Sequence, residues 1–166
     1  MTQELYPLIV VAHILGGFIF AMAHGVSLFV AFRIRGQHDP DRIRAYLELS
    51  GGTVPMMYAG LLILLVAGIG AAIMRGWFGF GWPWLSLGLL VGLALLMYQR
   101  GSVYYNQVRR AVGLRTYQDK PDAPVPAPRP TEEVVRLLNT RRPEELAVVG
   151  GLGLGMIIWL MVAKPF

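Results

Sequence analysis

The chain has 166 residues, 55% of them hydrophobic and only 15% charged, with no cysteine and a formal net charge of +5. Soluble domains usually carry about 25% charged residues, so composition argues against a soluble globular enzyme. The absence of cysteine excludes disulfides, iron–sulfur clusters, thiolate-bound zinc and a cysteine nucleophile. The apolar residues gather in four uncharged stretches with basic segments between them, which predicts an all-α polytopic membrane protein, a four-transmembrane-helix bundle.

The first span covers 7–32, with His13, His24 and Ser27 as its clearly polar side chains. At 1.5 Å per residue it is about 39 Å long, more than the roughly 30 Å hydrocarbon core, so it tilts or protrudes. With an acidic Glu4 and no basic residue before it, this segment reads as a retained helix rather than a cleaved signal. The segment 33–53 follows, where Asp39, Pro40 and Asp41 supply an N-cap, an N1 proline and a first-turn acid. They predict a short helix with Ile43, Tyr46 and Leu47 on one face. It reads as a solvated connector over the bundle end, or alternatively as a membrane-surface helix.

The second span, 54–74, is joined to the third, 82–98, by a short turn holding Trp77, Phe78 and Phe80, followed by Trp82 and Trp84. These aromatics suit a membrane interface, and the short turn predicts an antiparallel helical hairpin. The third helix should continue beyond the bilayer, because no proline interrupts it before Pro121. Pro121, Pro124, Pro126, Pro128 and Pro130 then predict a stiff polyproline-II spacer over 121–130. Thr131 with Glu132 and Glu133 predicts a helix start, and Pro143 with Glu144 and Glu145 begins the fourth span, 146–163, in the same way.

Of the 15 basic residues, 13 lie in the segments 33–53 and 99–145; only Arg75 and Lys164 lie on the other side. By the positive-inside rule both long segments face the cytoplasm and both termini face outward, in a multi-pass protein of the plasma membrane. The same charges suit contact with anionic lipid headgroups; being interleaved with Asp and Glu, they do not point to nucleic acid. Small residues at four-residue spacing, Ala21 and Gly25, Gly88 and Gly92, Gly151 and Gly155, predict close helix packing within the bundle, or alternatively a homodimer seam.

Candidate chemistry centres on His13 and His24. Eleven residues apart, they project from one face of a helix but are separated by roughly 16 Å, so they cannot share a metal ion. Ionisable groups inside a membrane mark function by default. The third histidine, His38, lies in the first basic segment, so a bis-His haem within the bundle is excluded. A haem b with His and Met or single His ligation stays open, as does a copper(I) site. Met22, Met56, Met57, Met97, Met156 and Met161 are the candidate thioethers, Met22 lying nearest His24 in sequence. The alternative is a structural hydrogen bond from each imidazole to Ser27, Tyr58, Tyr98 or a backbone carbonyl.

The stretch His13-Ile14-Leu15-Gly16-Gly17, the basic helix end at Arg33, the short Asp/Arg segment after it and the ending Ile158-Trp159-Leu160-Met161-Val162-Ala163-Lys164-Pro165-Phe166 resemble an uncharacterised bacterial four-helix membrane family grouped with the copper-resistance D proteins. The likeness covers most of the chain apart from the Pro-rich segment. A more distant likeness is to the HemJ-type protoporphyrinogen oxidases, in which an early histidine and an intramembrane lysine serve haem binding. His13 matches the first of these positions, whereas no span here contains a lysine. The resemblance implies a haem-binding or copper-related bundle in a bacterial inner membrane. From the residues alone, two classes remain open: a cofactor-binding bundle using His13 and His24, and an accessory subunit of a larger membrane complex. An enzymatic reading is weaker, since no paired carboxylates, Ser/His/Asp set or phosphate-binding glycine loop lies near the spans.

Overall fold

The computed structural model describes residues 2–166 except 117 and 121, so Pro121, the first residue of the expected spacer, lies outside the described residues. Among the described residues six α-helices form in chain order: α1 Thr2–Arg33, α2 Pro40–Met74, α3 Gly81–Met97, α4 Val103–Ala111, α5 Thr131–Leu138 and α6 Arg142–Ala163. No strand occurs among the described residues. Four segments, Glu4–Arg33, Pro40–Met74, Gly81–Ala111 and Thr131–Ala163, are long and apolar enough to cross a membrane. Large apolar side chains on them point outward, among them Leu152 at 72% and Val162 at 79% exposure. An apolar exterior of this extent suits lipid rather than water, and the fold is that of a multi-pass helical membrane protein.

The helices associate as two antiparallel pairs. α1 packs along α2 for most of its length and α3 packs along α6, while contacts between the pairs are few. The α1–α2 seam closes at two glycines. A Cβ on Gly16 would sit 2.5 Å from the Leu64 nitrogen, and one on Gly60 would sit 2.6 Å from the Phe20 nitrogen. Only hydrogen fits there, and dispersion between the bare backbones replaces the hydrophobic drive that lipid removes. Toward the basic end of the seam, the Ser50 hydroxyl donates to the Ser27 hydroxyl (3.0 Å) and the Thr53 hydroxyl donates to the Ser50 carbonyl (2.8 Å).

The expected packing of the other small pairs within the bundle is corrected. A Cβ on Gly25, Gly88, Gly92, Gly151 or Gly155 would meet nothing within 4 Å. On α6 it is Gly150 and Gly153 that face α3, against Met97 and Leu93. Residues 150 and 153 lie three apart on one helix face, whereas 151 and 155 lie on another.

The short helix expected after Asp39 is not separate. Asp39 caps as expected, its carboxylate accepting from the Asp41 amide at 3.0 Å. The helix so begun then runs unbroken through Gly51, Gly52 and Pro55 to Met74. Its Ile43 and Leu47 are buried, neither solvated nor laid on a membrane surface. With Val30, Ile34, Tyr104, Val108, Ala111, Val112, Val134 and Leu138 they form one apolar core at the basic end of the molecule. Each fully buried aliphatic side chain there contributes about 1.5–3 kcal/mol, a drive that operates only where water is the alternative.

The third helix continues as expected. A π-turn at Tyr98–Ser102 joins α3 to α4, and α4 stops at a glycine. Gly113 has φ +80°, its amide bonds to the Arg110 carbonyl, and the Leu114 amide bonds back to the Arg109 carbonyl. This is a Schellman stop, which a left-handed residue requires. The missing side chain also lets Pro126 and Pro128 approach, and the Arg129 amide bonds to the Ala111 carbonyl at 2.8 Å. Residues 124–130 thus lie back against the end of α4 without regular secondary structure. Thr131 occupies the first turn of α5, with Pro130 rather than Thr131 at the cap position.

Basic side chains expected to mark topology also hold this end together. Arg44 donates to the Val112 carbonyl (2.6 Å) and pairs with Asp41 (2.9 Å). Arg109 donates to the Leu47 carbonyl (2.9 Å). Arg35 pairs with Glu144, tying the end of α1 to the start of α6 and so one helix pair to the other. In the turn after α4, Asp119 accepts from the Thr116 amide (2.7 Å) and hydroxyl (2.9 Å) and from Arg110 (2.7 Å). These bonds, the Thr116 amide first, hold the Asp119 carboxyl below its ordinary value.

Replacing Gly60 with valine forces backbone apart, so the variant should lose at least about 1–3 kcal/mol in thermal unfolding in detergent. Gly88→Ala, which adds a methyl into open space, should leave the midpoint unchanged. Because the Asp119 value is lowered on folding, its contribution is present above the unfolded carboxylate pKa of about 3.9 and is lost as pH falls below it. Asp119→Asn should therefore remove part of the acid dependence of Thr116 amide exchange; an unchanged acid profile would show that the carboxylate does not hold the turn.

Candidate functional site

The sequence directs attention to α1, and the structure separates its two histidines. His13 lies on the seam with α2, one turn from the Gly16–Gly60 crossing. Its Nδ1 is 2.7 Å from the Leu64 carbonyl oxygen. A carbonyl only accepts, so Nδ1 carries the proton and donates. In the neutral ring this leaves Nε2 with the lone pair. The ring lies on α2 where Gly68 has no side chain: a Cβ there would sit 2.7 Å from Nδ1 and 2.8 Å from Cε1. Gly68 is therefore the floor that lets the imidazole reach the backbone.

The Leu64 carbonyl belongs to a helix whose own hydrogen bonds already use one oxygen lone pair, and His13 engages the second. Such a bond between membrane helices is worth about 0.6 kcal/mol on average. His13 is thus a clamp across the seam, which realises the expected hydrogen bond to a carbonyl.

His24 is placed differently. It is half-buried and stacks on Phe20 of its own helix, with ring centroids 5.7 Å apart and planes within 9°. Ser27, a potential partner by sequence, bonds instead to Ser50 across the seam. Met22 is 54% exposed on the outer side of α1, and Met56 and Met156 are likewise exposed. Met97 lies against Gly150 in the α3–α6 contact. Among the described residues no cluster of three or more His, Cys, Asp or Glu side chains forms.

Two features escaped the sequence reading. At the end away from the basic core, α1, the α2–α3 turn and the chain terminus converge on an aromatic cluster. The Arg75 guanidinium lies 4.1 Å above the Tyr6 ring, and the Lys164 ammonium lies 4.0 Å above Trp77. Tyr6 meets Trp77 edge-on, Trp77 meets Trp82, and the Trp82 amide reaches the Phe166 carbonyl at 3.4 Å. The two cations outside the basic segments are both held on ring faces. The aromatic turn was visible in the sequence; its meeting with residues 6 and 164 depends on helix lengths and register.

The second feature is an outward groove of 410 Å³ on α6, lined by Gly151, Leu152, Gly155, Met156 and Trp159. The Gly151/Gly155 spacing signalled a packing face, but not that it faces away from the chain's own helices. His13 and His24 do not line this groove. Compared with family models, with curated proteins and with solved structures, the chain matches none of them.

Gly68→Ala should push the imidazole off Leu64, so its cost and that of His13→Ala should not add: the double variant should melt within about 0.5 kcal/mol of the worse single variant. Additive losses would show that His13 and Gly68 act independently.

Proposed function

We propose that this chain is a structural or accessory component of a larger assembly in the bacterial inner membrane, with the basic core in the cytoplasm and both termini outside. The observation that carries this reading is the outward face of α6. Gly151 and Gly155 form the floor of an uncharged groove that none of the chain's own helices fills. In lipid, small residues at this spacing favour close approach of another helix, because the packing gain is not available from disordered acyl chains. The open arrangement of two helix pairs supports the same reading. The orientation rests on the placement of 13 of 15 basic residues at one end.

A second reading is favoured by one observation at His13. The Nδ1 bond to a carbonyl is the arrangement that orients a histidine for ligation through Nε2. His13 would offer one ligand nitrogen to a haem or to copper(I), and among the described residues it belongs to no cluster of three or more His, Cys, Asp or Glu side chains. His24 and Met22, the other candidates, are not gathered around His13.

A photo-crosslinking amino acid at position 152, with the protein in its native membranes, tests the first reading. A discrete protein adduct, abolished by Gly151→Ile with Gly155→Ile, is expected; labelling of lipid alone would overturn it. An absorption spectrum of protein expressed with haem supply, paired with copper analysis, tests the second. A Soret band or bound copper lost in His13→Ala would support it, and a featureless, copper-free sample would remove it.

A further inference from the structure

Beside the π-turn lies a cleft of 220 Å³ that neither reading uses. Its walls are Leu96 and Arg100 from the third helix and Arg142, Glu145, Leu146 and Val149 from α6. Leu96 and Arg100 are one helical turn apart, as are Arg142 and Leu146, so each wall carries a guanidinium on the loop side and an aliphatic side chain on the membrane side. The π-turn contributes to this arrangement. Gly101 is buried, and a Cβ there would be in ordinary van der Waals contact with the end of the Leu146 side chain, so the π-turn packs on α6 just beside Arg100.

The charges of this cleft are unspent. Among the described residues neither Arg100 nor Arg142 forms an ion pair, and neither does Glu145, although all three line the same space. Arg142 is held in place by stacking 4.8 Å above the Tyr104 ring, and it makes one long contact, 3.4 Å, to the Arg100 carbonyl. Two guanidinium groups against one carboxylate leave a net positive rim. Their forked donors match phosphate oxygens. Below the rim, Leu96 and Val149 are 37% and 41% exposed, an apolar wall that a free inorganic anion would leave unused.

We propose that this cleft binds the phosphate of an anionic membrane phospholipid, with Arg100 and Arg142 on the headgroup and Leu96, Leu146 and Val149 against the start of the acyl chains. Basic pockets between membrane helices at the headgroup level recognise lipids in this way. The bound lipid bridges α3 and α6 where the helix pair leaves the membrane.

The test is titration of the detergent-purified full chain with phosphatidylglycerol, phosphatidylcholine or inorganic phosphate, read by native mass spectrometry. Phosphatidylglycerol should bind in preference to phosphatidylcholine. Arg100→Gln should weaken it about five-fold, the contribution of one basic residue at a lipid surface. Arg142→Gln should do the same but also loses the Tyr104 stack, so Arg100→Gln is the deciding variant. Arg136→Gln, an exposed cation on α5 outside the cleft, should leave binding unchanged. Equal loss in Arg136→Gln, no loss in Arg100→Gln, or full displacement of the lipid by millimolar inorganic phosphate would each overturn the assignment.

Discussion

The close approach of α1 and α2 at Gly16 and Gly60 is the constraint from which the rest of the seam follows. Helices inside a bilayer gain nothing from hiding apolar surface, so they must gain from proximity itself. Two backbones separated only by glycine hydrogens supply that proximity. The His13 bond to the Leu64 carbonyl depends on it, since an imidazole reaches a neighbouring backbone only when the helices are this near and Gly68 leaves its floor bare. The Ser27–Ser50 bond closes the same seam further along. A glycine crossing, a clamp and a polar latch lie on one line.

The molecule changes its means of cohesion where it leaves the membrane. At the basic end, ten residues from four helices and their ends form a core of the kind seen in soluble proteins, with Ile34, Ile43, Val108, Val112 and Val134 nearly or fully excluded from solvent. Water makes that burial favourable, and the helices there are accordingly amphipathic rather than uniformly apolar. The end of α4 leaves backbone carbonyls open, and guanidinium groups cover them, Arg44 on Val112 and Arg109 on Arg115; Arg109 also adds a bond to the Leu47 carbonyl inside α2. The arginines concentrated at this end thus also complete the backbone hydrogen bonding.

The four spans, the short turn between α2 and α3 and the extended third helix were legible because each depends on local composition: an uncharged run of sufficient length, a short connection, an absence of proline; the expected hairpin was not, since α2 packs on α1 and α3 on α6 rather than on each other. The Asp39 cap and the Pro143 start were legible for the same reason. Partners across space were not. The spacing Gly151/Gly155 announces a face but does not say which way it points, and Gly16, Gly60 and Gly68, which close the seam, are not distinguished in sequence from small residues that face outward. Ile43 and Leu47 read as one face of a short helix. That the face meets Val30 of α1 and Val134 of α5 depends on the path of residues 112–130, which local pattern does not encode. The cleft at Arg100 was hidden for a similar reason, since an α-helix is the default for an apolar run and the π-turn that brings Gly101 against Leu146 has no distinct composition.

The same geometry bears differently on the two histidines that the sequence paired. A histidine that only packs has no need of a glycine opposite it; a leucine or alanine floor would bury its ring equally well. Gly68 is required because the ring must pass close to α2 to put Nδ1 on a carbonyl, and this orientation leaves the opposite ring nitrogen unprotonated in the neutral form. Clamp and ligand are therefore compatible roles for His13, because the bond that fixes the helices also fixes the tautomer. His24 has no such device: it is stacked on Phe20 of its own helix, with no hydrogen bond among the described residues to choose between its nitrogens. The difference lies in what α2 offers to His13, a carbonyl at Leu64 and a bare floor at Gly68.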